Sequence, residues 1–248
     1  MSGLFVTLAL GLFIMLGTII ALYVKNNENF ITFSIGLAFG VMFMLVIFDL
    51  LPEVTEIFFA SYRWYFAILI ILSLIIVGIL LLKMLDYFVP DHDHEDKHED
   101  KHLHHIGIVS TVAISLHNII EGMAIYSVFL NDLKSGILLS IGVGLHNLPL
   151  GMAIASMFYN YNGSRVKTLF ISLFMSLTTF IGGVLLYIFG SSINEIALGA
   201  LMAITLGMII YIMFFELFIH IKNEGNKKIS IFGILTGIII IFISILIH

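Results

Sequence analysis

The chain has 248 residues, of which 60% are apolar and only 11% carry a charge. A soluble domain has about 25% charged residues, so this composition excludes one and predicts a protein that lies in a lipid bilayer. The net charge of −5 comes mainly from one short segment, and the lack of cysteine excludes disulfides, thiolate metal ligands and thiol redox chemistry.

Eight apolar runs follow one another along the chain, and each is long enough to cross a bilayer as a helix of about 20 residues. They are 3–24, 30–51, 64–89, 107–130, 135–159, 166–190, 195–221 and 229–247. The runs are continuous instead of alternating, which indicates helices and not barrel strands. We therefore predict an all-α integral membrane protein with eight transmembrane helices in one domain, 1–248, whose first run is a span and not a cleaved signal.

The basic residues predict the orientation, because lysine and arginine accumulate on the cytoplasmic side of a membrane. With the N-terminus outside, nine of the 11 basic residues fall in inner segments, and only Arg63 and Lys134 fall outside. Both termini should face outward and the segment 90–106 should face the cytoplasm. This predicts a multi-pass protein of the plasma (inner) membrane.

An internal repeat appears when Gly40 is laid over Gly207. Phe48-Asp49-Leu50 then lies over Phe215-Glu216-Leu217, and the first and third runs lie over the sixth and eighth. The two copies start five helices apart, an odd number, so they cross the membrane in opposite directions. Inverted repeats are a recurring plan of secondary transporters. The alternative is a chance match between two apolar helices of low complexity.

Ionisable side chains inside the spans concentrate on the fourth and fifth runs, although each such group is expensive in a bilayer. The runs contain His117-Asn118-Ile119-Ile120-Glu121-Gly122 and His146-Asn147-Leu148-Pro149-Leu150-Gly151. His117 and Glu121 are four residues apart, so they share one face of a helix. His146 lies about as deep in its run, and the short turn at 131–134 makes the two helices antiparallel neighbours.

Two imidazoles and a carboxylate near mid-membrane predict a site for Zn²⁺ or a similar first-row ion. Asn118 and Asn147 each follow a histidine and can add a carbonyl oxygen or hold a ligand in place. A single membrane histidine is more often a hydrogen-bonded packing residue. That alternative explains a matched pair beside a carboxylate poorly.

Four further ionisable residues predict a path for cations on both sides of this centre. Glu216 and His220 lie late in the seventh run, towards the cytoplasm, while Asp49 and Glu53 lie late in the second run, towards the outside. The alternative for Glu53 and His220 is a position in the membrane interface, where a charge costs little.

The segment 90–106 is so rich in histidine and acids that it cannot build a core, and we predict that it is disordered. Histidine-rich tracts bind metals, weakly when no fixed geometry exists. The alternative is a solvated linker without metal. The candidate ligands are His92, His94, His98, His102, His104 and His105.

The two motifs resemble those of the ZIP (Zrt/Irt-like) family of divalent metal transporters, in its bacterial branch. Asp49-Leu50-Leu51-Pro52-Glu53, Glu216 and the histidine-rich segment support the resemblance, which covers essentially the whole chain. It implies eight helices in a 3+2+3 inverted-repeat arrangement, a homodimer, and inward transport of Zn²⁺, with Fe²⁺, Mn²⁺ and Cd²⁺ as further candidate cargo.

The same resemblance implies the roles of individual residues. His117, Glu121 and His146 would bind metal at a central site, and Asn118, Asn147 and Glu216 would help to form an adjoining metal position. One residue departs from the pattern: Leu150 stands where the bacterial branch usually has glutamate. This removes a bridging carboxylate, puts a two-metal centre in doubt and predicts weaker binding of Mn²⁺ and Fe²⁺ relative to Zn²⁺.

Two other functions fit a buried metal site. A membrane-embedded zinc hydrolase would need a water and a basic carboxylate at the metal, but the chain has no His-Glu-x-x-His pair on one helix. A metal sensor would bind the ion without moving it. We predict a transporter and not an enzyme, with metal ions and the lipid bilayer as partners and no nucleic acid.

Overall fold

The computed structural model describes residues 2–24, 27–88, 98–131, 133–190, 194–223 and 226–247. In these ranges the chain forms eight long helices and no strands. They are α1 (Ser2–Val24), α2 (Glu28–Ser61), α3 (Trp64–Phe88), α4 (His98–Asn131), α5 (Leu133–Asn162), α6 (Arg165–Phe189), α7 (Glu195–Asn223) and α8 (Lys227–Ile247). Each contains a stretch long and apolar enough to cross a membrane. The predicted all-α membrane fold with eight spanning helices is confirmed.

Two of the helices contain a wide π-helical turn, α2 at Val46–Leu50 and α7 at Ile212–Leu217. The two turns overlap when Gly40 is laid over Gly207, as in the sequence repeat. Each turn holds an acid, Asp49 in α2 and Glu216 in α7. π-turns inside α-helices frequently mark functional sites. Their matched positions add structural support to the inverted repeat.

The helix α2 runs on to Ser61, well beyond the end at 51 that hydropathy predicted. Pro52 lies inside this helix, although a proline ring clashes with the carbonyl four residues back in a regular helix. The π-turn just before it changes that geometry: the backbone N–H of Leu51 bonds the carbonyl of Val46, five residues back. The helix therefore continues past the proline and brings Glu53 onto the same element as Asp49.

The helix α4 begins at His98, so residues 98–106 are helical, and the disorder predicted for 90–106 is wrong for that part. Leu103 and Ile106 are buried in the main hydrophobic core. Extending an existing helix is far easier than starting a new one, so α4 carries on into the polar segment. Residues 89–97, with His92 and His94, lie outside the described residues.

The helices pack as two groups. The ligand bundle consists of α1, α4, α5 and α6, and the support bundle consists of α2, α3, α7 and α8. Repeat-related helices pair in the same way, because α2 packs on α8 as α7 packs on α3. Contacts of α5 with α2 and α8, and of α4 with α7, join the two bundles.

Close helix crossings in the ligand bundle explain the glycines that end the two polar motifs. A Cβ at Gly122 would overlap the carbonyl oxygen of Thr179 on α6, and one at Gly151 would overlap that of Ile14 on α1. Small residues let membrane helices approach each other closely. The crossings fix α4 and α5 against their neighbours and so position the polar side chains that precede each glycine.

Candidate metal centre

The central cluster consists of His117 and Glu121 on α4 and His146 on α5, all three buried. Nε2 of His117 lies 3.6 Å from Oε1 of Glu121, and Nε2 of His146 lies 2.7 Å from the same oxygen. The ligand atoms of the three residues all lie within 4.8 Å of one another. The structure thus brings together the three residues that we predicted, from the spacing of the two motifs, to lie close to one another.

The donor set of the central cluster is two imidazole nitrogens and a carboxylate, a combination that suits Zn²⁺. Nε2 of His117 has no hydrogen-bond partner within the described residues, and the contacts of Glu121 with His146 and Asn147 are not well aligned. An unsatisfied buried polar atom costs about 1–3 kcal/mol, and more when it is charged. A cation bound between these atoms would satisfy all of them together.

Two buried amides accompany the cluster. Asn118 and Asn147 are fully buried; the amide of Asn118 has no hydrogen-bond partner within the part of the chain that the structure describes, whereas the side chain of Asn147 interacts with the carboxylate of Glu121. Their positions beside His117 and His146 follow from the sequence. Amide oxygens are weaker metal ligands than carboxylates, so these residues fit a supporting role next to the central cluster.

Leu150 is a buried apolar residue at the position where the family resemblance implied a second carboxylate. It is 1% exposed and belongs to the main hydrophobic core. It follows His146 by one turn and lies on the same side of α5. Glu121 is therefore the single acid in the central cluster.

A cavity of about 360 Å³ leads to the central cluster from one side. His117 and Glu121 line its deep end, and Asp49 and Glu53 of the support bundle line it as well. Its other walls are the second half of α4 and the first halves of α5 and α7. Since consecutive spans alternate in direction, these ends lie on one membrane face, the outer face in the predicted orientation.

A second cavity, of about 400 Å³, lies between α2, α5 and α8. It reaches His146 and is also lined by Asp49. Asp49, which lies in the π-turn of α2, thus borders both of these cavities.

The α3–α4–α7 cluster lies towards the opposite membrane face. Asp86 on α3, His105 on α4 and Glu216 on α7 bring ligand atoms within 4.8 Å of one another. Nε2 of His105 lies 2.5 Å from Oδ1 of Asp86, and the hydroxyl of Tyr211 donates a 2.9 Å hydrogen bond to Oδ2. His105 precedes His117 by twelve residues, which is about 18 Å along a helix.

Glu216 thus lies with Asp86 and His105. The adjoining metal position that the resemblance implied for Glu216, Asn118 and Asn147 stays a prediction. Sequence reasoning missed Asp86 and Tyr211. The available signal for Asp86 was weak, an acid near the C-terminal end of a mainly apolar span, three residues after Lys83. His220 is half-buried one turn beyond Glu216, and neither cluster within the described residues includes it.

The histidines of the predicted loop separate in the structure. His98 and His102 lie on the first turns of α4, and their side chains lie outside the described residues. The ring of His104 packs edge-on against Phe158 of α5, whereas His105 contacts Asp86. Two neighbouring histidines thus point to different partners, one in each bundle.

Eight spanning helices, a buried imidazole–carboxylate cluster and a cavity that leads to it define a multi-pass membrane transporter of metal ions. A family model described as ZIP Zinc transporter matches residues 89–245. The chain therefore belongs to the ZIP zinc transporter family. It is a transporter and not an enzyme.

Curated relatives match almost the whole chain. Zinc transporter ZupT of Chlorobium phaeovibrioides is 31% identical over 257 residues, covering 98% of this chain and 97% of the relative. Zinc transporter ZupT of Akkermansia muciniphila is 30% identical over 247 residues, with 93% and 92% coverage. Zinc transporter ZupT of Streptococcus mutans is 28% identical over 241 residues, with 93% and 91% coverage.

Proposed function

We propose that this transporter moves Zn²⁺ into the cytoplasm through the central cluster of His117, Glu121 and His146. The observation that carries the proposal is the gathering of three buried ligand residues at the end of a cavity. Nitrogen and oxygen donors in this number suit Zn²⁺, with water or another side chain completing four-coordination. The relatives reported above are named zinc transporters, which supports the same cargo.

The route follows from the predicted orientation. A partly hydrated ion enters the outer cavity past Glu53 and Asp49, which attract it by charge. It then exchanges water for the ligands of the central cluster. On the cytoplasmic side it meets the α3–α4–α7 cluster, then passes His220 and reaches the histidine-rich segment, which we propose buffers the released metal.

The single carboxylate of the central cluster sets the proposed selectivity. With neutral imidazoles the net charge of the three ligands is −1, and Leu150 offers no oxygen at the next turn. Mn²⁺ and Fe²⁺ favour oxygen ligands more than Zn²⁺ does. We therefore expect one strongly bound ion, Zn²⁺ in preference to Mn²⁺ and Fe²⁺, with Cd²⁺ as an alternative cargo.

Uptake into sealed vesicles tests the transport proposal. Purified protein in proteoliposomes should accumulate Zn²⁺ from outside, and a His117→Ala, His146→Ala double variant should lose both accumulation and bound metal by elemental analysis. Binding without accumulation in the unaltered protein would favour a sensor instead. The double variant should remain monodisperse in detergent, and the same preparation, measured by mass, tests the homodimer that the resemblance implies.

A further inference from the structure

The contact between His105 and Asp86 joins the two bundles. His105 belongs to α4 of the ligand bundle, and Asp86 belongs to α3 of the support bundle. All three residues of the central cluster belong to the ligand bundle, whereas Asp49 and Glu53 belong to the support bundle. A relative shift of the bundles would present the central cluster to the other membrane face, and the His105–Asp86 contact lies across that divide.

We propose that the His105–Asp86 pair is a latch that holds the two bundles in the arrangement whose cavity opens to the outer face. This inference rests on the proposed function. The cavity lies on the side of Glu53, and the latch closes the bundles together on the opposite side of the central cluster. The hydroxyl of Tyr211, which also belongs to the support bundle, donates a hydrogen bond to Oδ2 of Asp86. The carboxylate that contacts His105 is therefore held in place by its own bundle.

The geometry links the latch to the cargo. Two ligands of a tetrahedral Zn²⁺ site, each about 2.1 Å from the metal, are roughly 3.4 Å apart. Nε2 of His105 and Oδ1 of Asp86 are 2.5 Å apart, so an ion that binds between them must separate them. Glu216, in the same cluster, supplies a third ligand from the support bundle. An ion that moves from the central cluster to this cluster would thus break the direct His105–Asp86 contact between the bundles.

Thiol labelling tests the latch without any metal. The chain has no cysteine, so Ser127→Cys places a single thiol on the wall of the outer cavity. In that background, His105→Ala or Asp86→Ala should slow labelling by an impermeant maleimide by about tenfold or more, the effect of losing one charged hydrogen bond. The exchanged pair, His105→Asp with Asp86→His, should restore the rate. His104→Ala is the matched control, because His104 packs on Phe158 inside its own bundle.

Unchanged labelling in both single variants, or equal slowing by His104→Ala, would overturn the latch.

A cross-link supplies a second measurement if a single variant does not fold. In a His105→Cys, Asp86→Cys chain, a short reducible cross-linker should stop Zn²⁺ uptake, and reduction should restore it, whereas uptake through the cross-linked protein would refute the proposal. Failure of the unaltered protein to take up Zn²⁺ would count against the proposed function alone.

Discussion

The two ligand clusters differ in how many helices build them. The central cluster draws on two neighbouring helices of one bundle, so its internal geometry would persist through a relative shift of the bundles. The α3–α4–α7 cluster draws on three helices from both bundles, so its geometry depends on how the bundles are placed. A cluster of the first kind is suited to carry an ion, and one of the second kind is suited to sense or limit a movement.

The largest effect should come from Glu121→Gln, which removes the only acid of the central cluster. Losing an outer partner of a metal ligand costs about 10–100-fold in affinity, so losing a ligand should reduce Zn²⁺ uptake by at least about 100-fold. Initial uptake rates in proteoliposomes measure this. Glu56→Gln, at an exposed position of α2, is the control. Uptake within about threefold of the unaltered protein would show that transport does not need Glu121 as a metal ligand.

Glu216→Gln should distinguish the role of the α3–α4–α7 cluster from that of the central cluster. We expect uptake to slow about tenfold, while equilibrium Zn²⁺ binding at the central cluster stays unchanged, because Glu216 lies in the other cluster. Uptake rates and calorimetric binding on the same preparation give both numbers. If binding at the central cluster fell along with uptake, the two clusters would not be independent.

Leu150→Glu should add an oxygen ligand on the helix face of His146. We expect the affinity for Mn²⁺ to rise about tenfold relative to Zn²⁺, because Mn²⁺ favours oxygen. Competition binding measures the ratio. Leu150→Gln controls for the loss of a buried apolar side chain, which belongs to the core. An unaltered ratio in Leu150→Glu would show that Leu150 does not set the choice of ion.

The smallest effect should come from pH. Imidazoles must be deprotonated to bind metal, and their ordinary pKa is near 6.5. Protons therefore compete with the ion as the medium becomes more acidic, and uptake should fall by about threefold or more between pH 7.5 and 5.5. Rates at a fixed internal pH measure this. A flat profile would contradict a transport step through two histidine ligands.

The sequence predicted the central cluster because its members obey short-range rules. His117 and Glu121 are one turn apart, and the short connection after α4 places His146 opposite them. Such spacing and such a turn can be recognised without knowing the rest of the fold. The hydropathy of the spans predicted the eight helices for the same reason.

The α3–α4–α7 cluster could not be predicted in this way. Tyr211 and Asp86 are 125 residues apart, and no periodicity connects them. Their contact depends on how α3, α4 and α7 pack, which is set by close helix crossings such as that of Gly78 with Gly207. The end of α2 was missed for a related reason, because the π-turn that accommodates Pro52 leaves no clear trace in hydropathy.

The π-turns also set the rotational phase of the helix ends that follow them. A π-turn contains one residue more than an α-turn, and each residue of an α-helix advances the side-chain direction by about 100°. If this turn closed into a regular α-turn with all of its residues retained, everything beyond it in α2 would rotate by about 100°. Glu53 would then leave the wall of the outer cavity, although its sequence neighbours were unchanged. The orientation of the Glu53 carboxylate is thus encoded by the type of helical turn that precedes it as well as by the identity of the residue.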